Sequence, residues 1–268
     1  MSTAPPPILI IGAGRMGSAL IRGWLKSGLG PIVAVEPKPS PALRKLKGLT
    51  IIAAIEAVAP RRWRACVVAL KPQILKAEAA RLKSVASNVP MISIAAGISA
   101  GFLNKAWGSR ARIVRAMPNT PGAVGRGIAV LYAAPKTTAK DRKLAETLLA
   151  ALGQTVWVKS ESLIDAATAV SGSGPAYVFA LAEALAAAGE AAGLPRATAE
   201  RLARATVSGA GALLDADKRA AAEQRRDVTS PGGTTEAALK ILLAEDGLFA
   251  LMTRAVAAAK NRAEELAR

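Results

Sequence analysis

The chain has 268 residues, is 51% apolar, contains no histidine and one cysteine, and carries a formal net charge of +17. No uninterrupted apolar run is long enough to span a bilayer. One cysteine cannot form an internal disulfide, and the lack of histidine removes Ser-His and Cys-His catalysis and most metal centres, so no metal is expected. The charge is uneven. Residues 1–110 hold sixteen Lys and Arg against three Asp and Glu, and the rest holds twenty against sixteen. A basic first half suits an anionic cofactor or substrate, and would also suit nucleic acid. The few aromatic residues are scattered, however, and form no stacking platform for single strands.

In chain order, Met1–Pro7 reads as a short tail without the basic and apolar regions of a signal peptide. Together with the single thiol this predicts a cytoplasmic protein. Ile8–Ile11 is a short apolar strand that runs into Gly12-Ala13-Gly14-Arg15-Met16-Gly17. A helix with Leu20, Ile21 and Trp24 on one face follows, stopped by Ser27–Pro31. Ile32–Val35 is a second strand ending at Glu36, and the Pro37–Pro41 loop leads to a basic helix through Leu43 and Leu46. Further strands are predicted at 50–52, 65–70, 91–95, 112–116, 127–133 and 155–158, with helices between most of them. Cys66 lies inside one of these apolar runs and reads as an inert buried thiol. Continuous apolar strands alternating with helices predict a mostly parallel sheet covered on both faces.

After Lys159 strand signals stop. A helix over 162–170 is predicted to be interrupted by Ser171–Pro175. Pro175 would open a helix to about Ala192, closed by Gly193. Helices over 196–215, 234–244 and 248–266 complete the chain. The expected organisation is α/β with a Rossmann-type dinucleotide-binding domain over 1–160 and an all-helical dimerisation and substrate domain over 161–268. Alanine-rich helices with few aromatics to fill a core suit packing against a partner chain.

Gly-x-Gly-x-x-Gly is weak alone, but here it follows a strand and opens a helix. Gly12 would permit the tight turn, Gly14 the approach of a pyrophosphate, and Gly17 close packing of helix on sheet. The N–H groups near Arg15 and Met16 would face the pyrophosphate. Glu36 stands where an acid accepts from a ribose 2′-hydroxyl, whereas Lys38, Ser40 and Arg44 suit a 2′-phosphate, so NADH and NADPH both stay open. The loops Ala69-Leu70-Lys71-Pro72 and Ala95-Ala96-Gly97 leave strand ends on the ligand-binding side. Near the other end, Val228-Thr229-Ser230-Pro231-Gly232-Gly233-Thr234-Thr235 leads into an apolar helix. The free N–H groups of its first turn and the helix dipole favour a carboxylate.

These motifs resemble those of the pyrroline-5-carboxylate reductase family, in the family's order and almost end to end. They include Val68–Gln73, Ser93–Ile98, Arg115-Ala116-Met117-Pro118-Asn119-Thr120-Pro121, Ala169–Tyr177, and the Val228–Thr235 loop. The last two are the most specific. The resemblance implies reduction of a cyclic imino acid, 1-pyrroline-5-carboxylate, to proline by NAD(P)H, commonly NADPH. It also implies an interleaved homodimer, with decamers in several members, and a site at the dimer interface. It carries Asn119 and Ser173 over as cofactor contacts and Val228, Ser230, Gly232, Gly233, Thr234 and Thr235 as substrate contacts. Main-chain N–H groups at Ser230, Gly233, Thr234 and Thr235 would hold the substrate carboxylate, and Thr235 would hydrogen-bond the imine nitrogen, with water supplying the proton. Two alternatives stand beside this reading. One is a related Rossmann imine or β-hydroxyacid reductase, disfavoured because Pro175–Ala192 contains no lysine. The other is a non-catalytic cofactor-binding regulator or nucleic-acid binder.

Overall fold

The structure is a computed structural model that describes residues 5–58 and 62–267, so the first four residues of the predicted tail lie outside the described residues. Its first unit is built on an eight-stranded sheet. Strand β1 (Ile8–Ile11) leads into helix α1 (Arg15–Lys26), β2 (Ile32–Val35), the short α2 (Pro41–Arg44) and β3 (Leu49–Ile52). Then come β4 (Ala65–Val68), α3 (Pro72–Glu78), α4 (Lys83–Ala86), β5 (Pro90–Ser93), α5 (Ala100–Trp107) and β6 (Arg112–Pro118). The unit continues with β7 (Gly127–Ala133), α6 (Ala139–Leu149) and β8 (Gly153–Trp157). The strands lie in the order β3-β2-β1-β4-β5-β6-β7-β8. All neighbours are parallel except β6 and β7, which are antiparallel with Met117 opposite Val130.

The apolar strands are continuous because both faces of the sheet are covered. Successive side chains of a strand point to opposite faces. Ile8 and Ile10 accordingly join Leu20, Trp24 and Leu148 on one side, while Leu9 and Ile11 join Leu75, Leu103 and Trp107 on the other. Each layer is tied by a buried indole. Trp24 donates to the Leu148 carbonyl at 2.6 Å, linking α1 to α6, and Trp107 donates to the Ala79 carbonyl at 3.0 Å. Cys66 is fully buried within β4, and burial pushes its thiol far above its ordinary range.

Three predicted elements differ. The basic helix expected through Leu46 ends at Arg44; Leu46 lies beyond it, its N–H donating to the Leu43 carbonyl at 3.2 Å, and Gly48 follows at φ +82°. The predicted break at Ser171–Pro175 is instead a wider turn of helix. Helix α7 (Leu163–Ala167) runs through a π-helical turn at Thr168–Gly172, and α8 (Gly174–Ala191) starts two residues later. Thr168 and Ser171 turn their hydroxyls back onto the Ile164 and Ala167 carbonyls at 2.7 and 2.9 Å, a back-bonding that competes with the helical ladder and bends a helix, in keeping with the widened turn. Pro175 is tolerated because it sits in the first turn of α8, where its missing N–H would have no partner. Third, helix α10 (Ala221–Asp227) is present where no element was predicted.

Compact packing divides the described chain into one unit reaching Gly172 and taking in the chain's end from Lys260, and another spanning Ser173–Ala259. The second is helical: α8, α9 (Arg196–Ala216), α10, α11 (Thr234–Leu242) and the first part of α12 (Leu248–Ala267). Helices α8 and α9 meet through small residues, with Ala199 and Ala203 buried and Gly189 facing Ala199. No residue of α8 is buried, and Val178, Phe179, Leu181, Leu202, Leu213 and Phe249 are exposed. An apolar surface of this extent is characteristic of a protein interface.

Candidate functional site

At the carboxyl ends of β1, β2, β4 and β5 the sheet presents four adjacent loops. The strand order reverses between β1 and β4, which is where open parallel sheets bind ligands. The first loop is held by Gly12, whose N–H donates to the Val35 carbonyl at 2.8 Å, and by Ala69, whose N–H donates to Ile11 at 2.8 Å. Gly12 has φ +91°, and a Cβ there would stand 2.9 Å from the Ala69 carbonyl oxygen and 3.1 Å from Leu70. A Cβ on Gly17 would collide with the Gly12 carbonyl oxygen. Gly14 is different: it has nothing within 4 Å of its missing Cβ. It is the N-cap of α1, whose end has no side-chain cap, so the first-turn N–H groups at Arg15, Met16 and Gly17 are free for an anion. The two crowded glycines and the one open glycine fit a dinucleotide phosphate at this turn.

Glu36 closes over the same loop. Its carboxylate accepts from the Ala13 N–H at 2.8 Å and from the Lys38 N–H at 3.1 Å. This fastens the glycine turn to the end of β2 and leaves Lys38 exposed beside it. Ser40 is the N-cap of α2, accepting from the Leu43 N–H at 3.2 Å, and Arg44 reaches the Pro39 carbonyl at 3.3 Å. On the next loop Lys71 is the exposed N-cap of α3, followed by Pro72 in its first turn. Beyond β5, Ala95 is buried and Ala96 exposed, and Gly97 has φ +66° with its missing Cβ 3.1 Å from the Leu266 carbonyl oxygen.

Beside these last loops is a cavity of about 210 Å³ lined by Gln73, Lys76, Gly97, Asp165, Thr168 and Leu266, among others. Sequence reading did not single out Asp165. The available signal was one acid inside the otherwise apolar Leu163–Ala167 stretch. Burial raises its carboxyl above the usual range, opposed by Arg115 and Lys260 and reinforced by Glu264 and Glu161. Arg115 itself is 5% exposed and donates to Glu161 at 2.5 Å, while the same carboxylate oxygen accepts from the Ala100 N–H at 2.6 Å. Asn119 holds the backbone in shape. Its side-chain oxygen accepts from the Ile128 N–H at 3.0 Å and locks the turn between β6 and β7.

In the second unit, Ser173 is the N-cap of α8 and makes no side-chain cap bond. The Val228–Thr235 loop leaves α10 beside an arginine clamp, in which Arg219 binds Asp217 at 2.7 Å and Asp227 at 2.9 Å. Thr229 returns its hydroxyl to the Arg225 carbonyl at 2.6 Å. Gly232, at φ +71°, donates its N–H to Glu236 at 2.9 Å, and Gly233 donates to the Ser230 carbonyl at 3.0 Å. The Gly233 N–H, expected to face a carboxylate, is therefore used inside the turn. Gly233 is the N-cap of α11, with no side-chain cap, and Thr234 and Thr235 occupy the first two helical positions. Neither threonine caps the helix. Their N–H groups and that of Glu236 are left by helix geometry without intrahelical partners. Val228, Ser230 and Thr234 are exposed and Thr235 is half-buried.

Among the described residues no cluster of three or more potential metal ligands occurs, and no helix is long and apolar enough to cross a membrane. The family model "Pyrroline-5-carboxylate reductase dimerisation" matches residues 161–266, and "NADP oxidoreductase coenzyme F420-dependent" matches residues 7–97. A pyrroline-5-carboxylate reductase of Pseudomonas aeruginosa is 42% identical over 271 residues, covering 100% of this chain and 98% of that protein. One from Pisum sativum is 37% identical, with 96% and 94% covered. The solved Coxiella burnetii pyrroline-5-carboxylate reductase superposes with a TM-score of 0.91 at 35% identity, covering 99% of this chain and all of that one. The Plasmodium falciparum pyrroline carboxylate reductase, solved with NADP bound, gives 0.82 at 28% identity, with 98% of each chain covered.

Proposed function

The chain belongs to the pyrroline-5-carboxylate reductase family, and from that premise we propose that it reduces 1-pyrroline-5-carboxylate to proline, the last step of proline synthesis. NADPH supplies the hydride. The chain's own part is to hold two ligands. The turn Gly12–Gly17 takes the dinucleotide phosphates, with Gly14 as the point of closest approach. Lys38, next to Glu36, sets the preference at the ribose. Leu70-Lys71-Pro72, Ala95-Ala96-Gly97, Asn119 and Ser173 complete the cofactor contacts.

The observation that carries the substrate assignment is the uncapped start of α11. Its free N–H groups at Thr234 and Thr235, its dipole and the Ser230 hydroxyl suit a single carboxylate. Gly232 and Gly233 keep side chains away from that anion, and Val228 borders it. Thr235 hydrogen-bonds the imine nitrogen on which charge develops. Its hydroxyl is too weak an acid to be the proton source, so it orients a water that delivers the proton. Fixing the ring by its carboxylate can supply up to ~7–11 kcal/mol in well-oriented cases, by removing the cost of bringing two reactants together.

We place the functional division near residue 160, with dinucleotide binding before it and dimerisation and substrate binding after. The exposed apolar helices of the second unit then face a partner copy. The dimer, its assembly into decamers and the cytoplasmic location belong to this reading. Light scattering on purified protein distinguishes the two assemblies. The test of function is loss of reduced-nicotinamide absorbance with racemic pyrroline-5-carboxylate, with proline formation measured alongside. Oxidation of NADPH that yields proline is the expected result, and protein that binds NADPH without oxidising it would overturn the assignment of substrate.

A further inference from the structure

The first unit has a second basic site that the reductase reading does not use. It lies at the amino ends of β1, β4, β5 and β6, the edge of the sheet opposite the Gly12–Gly17 turn. Here a cleft of about 620 Å³ opens, within the size range of small-molecule sites. Among the described residues five cations line it: Arg62, Arg64, Arg112, Lys140 and Lys143. The one acid among the described lining residues, Asp141, is 3% exposed and already engaged, binding Arg112 at 2.8 Å and accepting from Thr138 at 2.7 and 3.0 Å. Lys143 leans on Glu146 at 3.2 Å. Among the described residues, Arg62, Arg64 and Lys140 have no anionic partner.

The frame around these cations is fixed. Arg112 also donates to the Asn88 carbonyl at 3.2 Å, and the Arg64 N–H donates to the Pro7 carbonyl at 2.9 Å. Trp63, 7% exposed, Val89, 3% exposed, Pro90 and Leu144 give the cleft an apolar wall. Two of these five cations have an acid beside them and, among the described residues, Arg62, Arg64 and Lys140 do not; gathering like charges in this way costs energy unless an anion neutralises them. Several unpaired cations suit adjoining phosphates better than one carboxylate, guanidinium groups match phosphate geometry in two-pronged fashion, and the apolar wall suits an organic portion. The concave shape favours a small molecule over a duplex.

We propose that this cleft binds a polyphosphate anion of the nucleoside triphosphate class, separately from the cofactor turn. The test is calorimetric titration of the full-length protein, saturated with NADPH, with ATP, inorganic tripolyphosphate and AMP in parallel. The expected result is binding of ATP that NADPH does not displace, weaker binding of tripolyphosphate, and at least tenfold weaker binding of AMP. The exposed double variant Arg62→Glu with Lys140→Glu should lose at least tenfold in ATP affinity while NADPH affinity stays within twofold. Binding of tripolyphosphate as tight as that of ATP would overturn the assignment to the nucleoside triphosphate class. It is overturned if ATP does not bind at 0.1 M salt, if NADPH displaces it, or if the double variant binds it as before. It is also overturned if duplex DNA binds, sensitive to the same variant, while ATP does not.

Discussion

Removal of the Thr235 hydroxyl separates two roles that are usually entangled at a helix start. If the threonine capped α11, Thr235→Ala would cost roughly 1 kcal/mol of stability. In the structure the N-cap is Gly233, which has no side chain to cap with, Glu236 folds back onto the Gly232 N–H, and Thr235 sits at the second helical position. Alanine is the better helix former by at most ~0.7 kcal/mol, so thermal stability should hold or rise slightly. The chemistry should respond quite differently. A hydrogen bond to a group developing charge is worth about 1.5–3 kcal/mol. At about 1.4 kcal/mol per decade this corresponds to a roughly ten- to hundredfold loss in turnover. The assay is steady-state oxidation of NADPH at saturating pyrroline-5-carboxylate, with NADPH affinity measured by fluorescence and the thermal midpoint by calorimetry. Turnover should fall at least tenfold with NADPH affinity and midpoint unchanged. Turnover like that of the unsubstituted protein would refute the catalytic role. A midpoint lowered by several degrees would return Thr235 to the helix cap.

Gly14 and Gly17 of the phosphate turn should differ in stability under the same change. Gly17→Ala drives a methyl into the Gly12 carbonyl oxygen, so overpacking of about 1–3 kcal/mol should lower the melting temperature as well as NADPH affinity. Gly14→Ala meets nothing within 4 Å, so stability should fall by no more than the N-cap preference of about 1 kcal/mol while NADPH affinity falls at least tenfold in fluorescence titration, and unchanged affinity would remove the pyrophosphate from that point. Glu161→Ala strands Arg115, which is only 5% exposed, and also removes the acceptor of the Ala100 N–H. Breaking such pairs costs about 3–5 kcal/mol when fully buried. With Glu161 28% exposed, solvent screening reduces this to roughly 2 kcal/mol. Calorimetry should show a midpoint several degrees lower, with Glu161→Gln in between; equal midpoints would show that the pair contributes nothing. Asp165→Asn should show a pH-dependent gain. Burial raises the folded-state pKa of this carboxyl above its unfolded value. Between those two values the folded protein therefore holds more protons, and its stability falls as pH rises through the window. The variant lacks this fall, so its midpoint should exceed the parent's at pH 7, and the difference should vanish below about pH 3.9. A gain independent of pH would show that charge burial is not its cause.

What could be read in the sequence was whatever repeats with the period of a backbone. Ile8–Ile11 and Ile32–Val35 are apolar throughout because both sheet faces are covered, so parallel strands, and the glycine turn after the first of them, stood out. Helix α10 did not, because Ala221–Asp227 has no apolar stripe and is helical by propensity alone. The π-helical turn was hidden for another reason: Ser171-Gly172-Ser173-Gly174-Pro175 reads as a breaker, whereas the chain widens into one π-helical turn at Thr168–Gly172 and starts again at Gly174, with Pro175 in the first turn where its missing N–H costs nothing.

At the candidate sites the same division holds. Individual roles of glycines follow from local geometry, and Gly12, Gly14 and Gly17 are crowded, open and crowded as the turn requires. Pairings between distant segments do not follow. Glu36 sits at the expected strand end, yet its bond to the Ala13 N–H exists only because β1 and β2 are neighbours. This changes what the residue does. An acid that fastens the glycine turn can do so whichever nicotinamide nucleotide binds, so its presence does not by itself select NADH, and on the proposed function the exposed Lys38 beside it meets a 2′-phosphate. Lys38→Ala should therefore raise the NADPH KM at least tenfold while changing the NADH KM less than threefold. Equal losses with the two cofactors would make Lys38 a general anchor and leave the preference to Ser40 and Arg44.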